Sequence, residues 1–253
     1  MKRVFLGKNT ILSEYFSDVN YIELDIYDNT TWSNIDSADA LFFYIPKKEK
    51  TLETTKRFFL YCASKNVKHI VKLGSLGPFR VIHKQLDAFA TECGLGVTTI
   101  NIAPLMNALF YEQYRNDILY NYRFKTPAPY LDPKVLVSVI DNVLGNPFYY
   151  NKEIDLTGDR QYYIKEVADL FQFYGFPVRE IQDIPYNKTH DIDDRDPDEI
   201  LLSKLGRNYY LGWYPQVNLD TLKHFNLCHR TLADFILEDR PVFMKSFSED
   251  KWL

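Results

Sequence analysis

Glycine is scarce in this chain: 10 of 253 residues, about 4 % against a usual ~7 %. Few positions remain for the glycine-rich turns on which phosphate-binding loops are built. Cysteine is scarcer. Cys62, Cys93 and Cys228 are odd in number, far apart and set in apolar, helix-like contexts. They read as reduced core thiols, not as a disulfide framework or a metal site. No apolar run approaches the roughly 20 residues of a membrane span. The stretch Met1-Lys2-Arg3-Val4-Phe5-Leu6-Gly7 has no apolar segment of signal-peptide length, so the reading is a cytoplasmic protein without a membrane partner. An excess of basic charge is missing too. With 30 Lys and Arg against 34 Asp and Glu, the net charge is −4, which excludes a nucleic-acid grip built on a basic face.

What is present is hydrophobic and aromatic. Hydrophobic residues make up 46 % of the chain, enough for one large domain or two fused ones. Aromatics reach 16 %, with 19 Tyr, 18 Phe and 3 Trp. They suit a pocket for a flat or apolar ligand; the imprint of an AT-rich genome is the plainer account.

The first half alternates apolar runs with helical periodicity. Val4-Phe5-Leu6 reads as a strand, Thr10 to Ser17 as a helix, Tyr21 to Asp25 as a second strand, and Thr31 to just before Asp36 as a short helix. Ala40 to Tyr44 is a continuous apolar strand. Thr51 to Lys65 is an amphipathic helix, with Leu52, Phe58, Phe59 and Cys62 on one side and Lys56 and Arg57 on the other. Strand His69 to Lys72, helix Lys84 to Glu92 and strand Thr98 to Ile102 follow. Nearly unbroken apolar strands alternating with helices predict an α/β fold, a parallel sheet covered on both faces.

The second half reads differently. Pro104 to Tyr122 has the look of a helix, broken by Thr126-Pro127-Ala128-Pro129. Pro133 to Leu144 is a helix with Pro in its first turn and Gly145 at its end. Glu153 to Leu156 is a strand, Tyr163 to Tyr174 a helix stopped by Gly175, and Val178 to Ile184 a strand. Asp191 to Glu199, with six acidic residues in nine, is a solvated loop and helix start, and its spacing fits no oxygen-ligand loop for a cation. The expected division is residues 1–148 as the sheet domain and 149–253 as a small, mostly helical region covering a substrate, packed on the first or forming one unit with it.

Three stretches together resemble the NmrA-like family of atypical short-chain dehydrogenases/reductases. The first runs from Leu24-Asp25-Ile26-Tyr27-Asp28 through Asp39-Ala40-Leu41-Phe42-Phe43-Tyr44-Ile45-Pro46, like the family's Asp-x-x-Asp turn, short helix and strand ending in Pro. The second is Asn66-Val67-Lys68-His69-Ile70-Val71-Lys72-Leu73-Gly74-Ser75, the step into the family's active site. The third is Ile154-Asp155-Leu156-Thr157-Gly158, then Ile164 to Leu170, then Gly175-Phe176-Pro177-Val178, like the family's last strand, helix and strand. Tyr214 to Leu222 and Thr231 to Phe235 echo its tail. The resemblance implies a Rossmann-like domain that in most members binds NAD(P)(H). Some members are quinone or enone reductases; others sense the nucleotide and regulate a protein partner.

The chain departs from that pattern at the nucleotide. A dinucleotide turn needs glycine for tightness, for close backbone approach to pyrophosphate and for helix packing. If Gly7 fills the first glycine position, Thr10 and Ser13 stand at the other two. Only 17 residues separate Gly7 from Asp25, where the family places helix, strand, helix and loop. The second β-α unit therefore reads as deleted, and Tyr21 to Asp25 is expected directly beside Val4 to Leu6. A competing reading makes Asp25 the ribose-binding acid. The expectation is no bound cofactor, with NAD(P)(H) as the alternative.

For chemistry, the wider superfamily's Tyr-x-x-x-Lys pair does not follow Ser75. At that place stand His83, Lys84 and Asp87, with His83 and Asp87 resembling the family's His-x-x-x-Glu. A carboxylate one turn along can hold an imidazole in one tautomer and raise its basicity. His83 is thus the candidate acid/base, with Asp87 as its orienter, Lys84 as a cation for an enolate and Ser75 at the strand's carboxyl end. A capping His, a surface Lys and a turn Ser are the plainer readings. Met106, Asn107, Tyr130 and Trp213 are the expected ligand-lining residues, sharing one concavity with Ser75, His83 and Lys84. His224 and His229 near Cys228 lack zinc spacing. The leading expectation is a small-molecule partner and redox-neutral proton transfer (isomerisation, cyclisation or elimination). An NAD(P)H-dependent reductase and a non-catalytic regulator with a protein partner are the alternatives.

Overall fold

Five parallel strands form the main sheet: β1 (Arg3–Phe5), β2 (Ala40–Phe43), β3 (His69–Ser75), β4 (Gly96–Ile102) and, from the second half of the chain, Lys152–Leu156. Numbered along the chain, β5 is Tyr114–Arg115, β6 Ile118–Asn121, β7 Lys152–Leu156 and β8 Glu180–Asp183. The sheet order is β1-β2-β3-β4-β7, and β5-β6-β8 form a separate small sheet. Helices are α1 (Thr51–Ser64), α2 (Arg80–Glu92), α3 (Pro133–Val143), α4 (Ile164–Phe173), α5 (Asp220–His224) and α6 (232–239). The computed structural model describes residues 3–5, 12, 15, 16, 22, 24–43, 51–76, 80–110, 114–121, 127–183 and 216–239. Among these, no helix is long and apolar enough to cross a membrane.

The expected parallel α/β sheet is there, and its register explains its two faces. Side chains alternate along a strand. Ala40, Phe42, Val71, Leu73, Ile100, Ile154 and Leu156 point to one face, where α3 packs Val135, Leu136, Val139 and Ile140 on them. Leu41, Phe43, Ile70 and Val97 point to the other, under Phe58, Phe59 and Cys62 of α1 and Leu86 and Ala90 of α2. Each fully buried Phe or Leu contributes about 1.5–3 kcal/mol.

The helix ends follow local rules. Asn66 at the end of α1 has φ 60°, and Val67 N–H returns to Cys62 O at 3.1 Å. Gly94 (φ 80°) does the same for α2, with Leu95 N–H on Ala90 O at 3.0 Å. Asp132 caps α3 by accepting from Lys134 N–H, with Pro133 at the first helical position.

Four expectations are corrected. Ile22, Leu24 and Asp25 lie outside both sheets, so no strand of theirs flanks β1; the described neighbour of β1 is β2. Leu24 and Ile26 are instead buried against Trp32 and Ile35, and Asp25 is drawn into a turn. Pro104 to Tyr122 is not one helix: residues 108–110 are helical, but Tyr114–Arg115 and Ile118–Asn121 form an antiparallel hairpin around Asn116 (φ 51°) and Asp117 (φ 61°). The boundary at 148 cuts the main sheet, because β7 pairs with β4. Cys228 is exposed, although Cys62 is buried as expected. The helix at Thr10 to Ser17 and the acidic run Asp191 to Glu199 fall, wholly or largely, outside the described residues.

Candidate active site

The face of the sheet under α2 changes character along the strands. Toward the amino ends it carries Leu41, Ile70 and Val97. Toward the carboxyl ends the register aligns Lys72, Thr99 and Glu153 in one row, then Gly74, Asn101 and Asp155 in the next. Open α/β sheets bind their ligands beyond the carboxyl ends of the strands. A polar band sits there, roofed by the first turns of α2.

Helix α2 is built to face it. Ile82, Leu86 and Ala90 recur every four residues and anchor the helix in the core. The same spacing stacks His83 above Asp87 on the adjoining stripe. The expected contact between them is replaced by a third residue. Lys72, 0 % exposed, stands between the two, with Nζ 2.9 Å from Asp87 Oδ1 and 3.3 Å from His83 Nδ1. Thr99 Oγ1 donates to the other carboxylate oxygen of Asp87 at 2.7 Å. The line is therefore Thr99, Asp87, Lys72, His83, from the interior outward to a half-buried imidazole.

This reverses the expected effect on His83. A neighbouring carboxylate would raise its pKa; burial, and after it the charge of Lys72, push it down to about 3. His83 is neutral at physiological pH. Because Nδ1 faces an ammonium group, which can only donate, the ring proton belongs on Nε2. Burial also draws the Lys72 ammonium below the usual lysine range, against the opposing pull of Asp87.

The flanking charges are paired. Arg80, in the first turn of α2, donates to Glu153 and to Asp155, the latter at 3.1 Å. Asn101 Nδ2 donates to Asp155 Oδ1 at 2.8 Å. Lys84 is 60 % exposed, 3.7 Å from Glu153. Its place on the outer side of the helix, not beside His83, follows from its position one residue along.

Of the other expected residues, Ser75 ends β3, and its side chain lies outside the described residues, as do Gly7, Thr10 and Trp213. Met106, Asn107 and Tyr130 are all buried, Met106 and Tyr130 with Leu109, Phe110 and Tyr162 in a third core cluster and Asn107 as a polar residue. A groove of ≈ 380 Å³ at the end of α4, lined by Gln172, Gly175, Pro177, Val178 and Arg179, contains none of the expected residues. Among the described residues, no cluster of His, Cys, Asp and Glu is placed to hold a metal.

Asp25 bears on the dinucleotide. Its Oδ1 accepts from Tyr27 N–H at 2.9 Å, and its own N–H donates to Thr31 Oγ1 at 3.0 Å. Asp28 caps the 3-10 helix Asn29–Ile35. Both carboxylates of the Asp-x-x-Asp turn hold their own backbone. One oxygen of the exposed Asp25 carboxylate is thus committed to its own turn.

No family model matches the sequence, and no curated protein does. Solved structures do match in fold. A nucleoside-diphosphate-sugar epimerase from Staphylococcus aureus superposes with TM-score 0.67 at 16 % identity, over 94 % of this chain and 100 % of that one. Triphenylmethane reductase of Citrobacter sp., complexed with NADP(H), gives TM-score 0.69 at 11 % identity, over 94 % and 99 %. The Escherichia coli NADPH-dependent quinone oxidoreductase gives 0.66 at 12 %, over 93 % and 98 %. At these identities the likeness shows the fold alone, a Rossmann-type fold.

Proposed function

We propose that this chain, which has the Rossmann-type fold of the atypical short-chain dehydrogenases/reductases, is an enzyme of redox-neutral proton transfer on a small carbonyl compound. The observation that carries the reading is His83, held neutral with Nε2–H free of any described partner. A neutral imidazole backed by a buried cation is a good donor to an oxygen that turns negative as a solvent water or hydroxide takes an α-proton. His83 is the catalytic residue, polarising the carbonyl and stabilising the enolate. Asp87 takes the role of counter-ion to Lys72. Glycine-poor Gly7 to Ser13 and the turn-bound Asp25 support chemistry without a dinucleotide.

The test is hydrogen exchange. Cyclic enones and ketones are incubated with the protein in deuterated buffer, and deuterium gain at the α-carbon is read by mass spectrometry. Exchange that disappears in His83→Ala supports the reading; equal exchange in both proteins sinks it.

A second reading, reduction of a quinone or enone by NAD(P)H, is supported by the fold relatives that bind NADP(H) or depend on NADPH. Loss of NADPH absorbance in the presence of the same enones would put it first.

A further inference from the structure

The geometry points to Lys72 as the positioning residue behind His83: it fixes the imidazole as its Nε2–H tautomer and replaces the proton that His83 gives away. The inference rests on the reading of His83 as the donor to the ligand.

Lys72 cannot meet a ligand itself, because its side chain is wholly enclosed. Any influence must pass through a neighbour. The groups that face it are few. From α2 come His83 and Asp87; from β4 comes Thr99, through Asp87; from β7 comes the charge of Glu153, itself tied to Arg80. Phe43, its register partner on β2, offers no polar atom. Asp87 is engaged on both oxygens, by Lys72 and by Thr99. Two neighbours reach the surface: Asp87, 22 % exposed but committed as an acceptor to Lys72 and Thr99, and His83, which has a second ring nitrogen to offer a ligand. A buried lysine set on one nitrogen of an imidazole whose other nitrogen faces outward has the geometry of a proton relay.

The step balances. An enolate oxygen on the ligand takes the proton from Nε2, and Nδ1 takes one from Lys72 Nζ. The ligand gains an O–H bond, the ring stays neutral with its proton now on Nδ1, and the ammonium becomes an amine. The negative charge lost from the ligand and the positive charge lost from Lys72 cancel. After release, solvent protonates Nε2 and Nδ1 returns its proton to Lys72. The depressed lysine pKa eases this transfer, since burial already disfavours the charged amine.

Nitrogen-15 NMR of the His83 ring in the full chain reads the relay directly. The wild type is expected as the Nε2–H tautomer, unprotonated from about pH 5 upward. An Nδ1–H ring in the wild type overturns the inference even if no variant folds. In Lys72→Met the tautomers mix and the titration rises only in part, because burial, the larger cause, still holds it below the ordinary histidine value. Enone exchange falls at least about tenfold, within the usual range for lost acid–base assistance. Lys72→Arg keeps a charged donor but cannot release a proton, so it restores the tautomer and not the exchange rate. A Lys72→Met protein with unchanged tautomer, titration and exchange overturns the inference while leaving His83 as donor. Exchange that survives in His83→Ala instead removes the functional reading, whatever the tautomer.

Discussion

Lys72 and Asp87 lie 2.9 Å apart, yet their surroundings differ: the lysine side chain is 0 % exposed and the aspartate 22 %. The pair is therefore asymmetric to mutation. Asp87→Asn strands a buried cation and should cost about 3 kcal/mol or more. Lys72→Met fills the same space with an apolar chain and leaves a carboxylate that still reaches water and Thr99; its cost should stay under about 1.5 kcal/mol. Urea denaturation of the two variants checks the order, and equal losses would contradict it.

Acid should destabilise the fold through His69. Its Nδ1 accepts from Gly145 N–H at 2.9 Å, so Nε2–H donates to Thr98 Oγ1 at 2.8 Å, and both ring nitrogens are committed to the neutral form. Burial holds its pKa down at about 4. A group depressed on folding contributes fully above its unfolded value of about 6.5. Its contribution, ~3 kcal/mol, is lost as pH falls through that window toward 4. Stability measured by urea from pH 7 to 4 should drop more steeply in the wild type than in His69→Gln.

Gly74 faces the polar band without a side chain because Asn101 occupies the space. A β-carbon at 74 would lie 2.3 Å from Asn101 Oδ1 and 2.7 Å from Thr99 Cγ2. Gly74→Ala is expected to cost about 2 kcal/mol by overpacking. Added to Asn101→Ala, it should cost less than alone, the contact with Thr99 Cγ2 remaining. A double-mutant cycle with no coupling would mean that the two residues do not compete.

Asp132 does two jobs in one buried place. It caps α3 through Lys134 N–H at 2.6 Å and pairs with Arg230 at 2.5 Å, joining the sheet domain to the segment before α6. Asp132→Ala removes the helix cap and one of the two carboxylates on Arg230, the other being Glu238, at about 2–4 kcal/mol. A fall in Tm of the order of 10 °C by calorimetry is expected; a shift under about 2 °C would show the pair to be idle.

NADPH and NADH should bind weakly. Calorimetry giving a Kd at or below about 1 μM, near −8 kcal/mol, would contradict that expectation and favour the reductase reading.

The main sheet was legible in the sequence because its strands and helices each obey one clear period. Ile82, Leu86 and Ala90 mark α2, and Pro133 with Gly145 brackets α3. The hairpin was not, since the stripe Leu105, Met106, Leu109 and Phe110, helical at 108–110, reads on into the hairpin as one helix. Asn116-Asp117, two residues that tolerate positive φ between Tyr-Arg and Ile-Leu-Tyr, was the signal for a tight hairpin. His83 and Asp87 could be picked out together; Lys72 could not be placed between them. A lysine inside Ile70-Val71-Lys72-Leu73 passes for the end of a strand, and its burial emerges only once β4 and α2 close over it. Its position two residues after Ile70, on the same face, was the available clue.

Because β7 supplies the last strand of the sheet, the ribosome finishes β4 well before its neighbour exists: Asn101 waits 54 residues for Asp155. At about 5–20 residues per second, that interval lasts some ~3–10 s. Throughout it β4 is an open edge, its outward hydrogen-bonding groups available to any passing strand. Thr98, Thr99 and Asn101 break up the apolar run of Val97, Ile100 and Ile102 on that strand, so its open edge is less apolar than a buried parallel strand of Val and Ile alone.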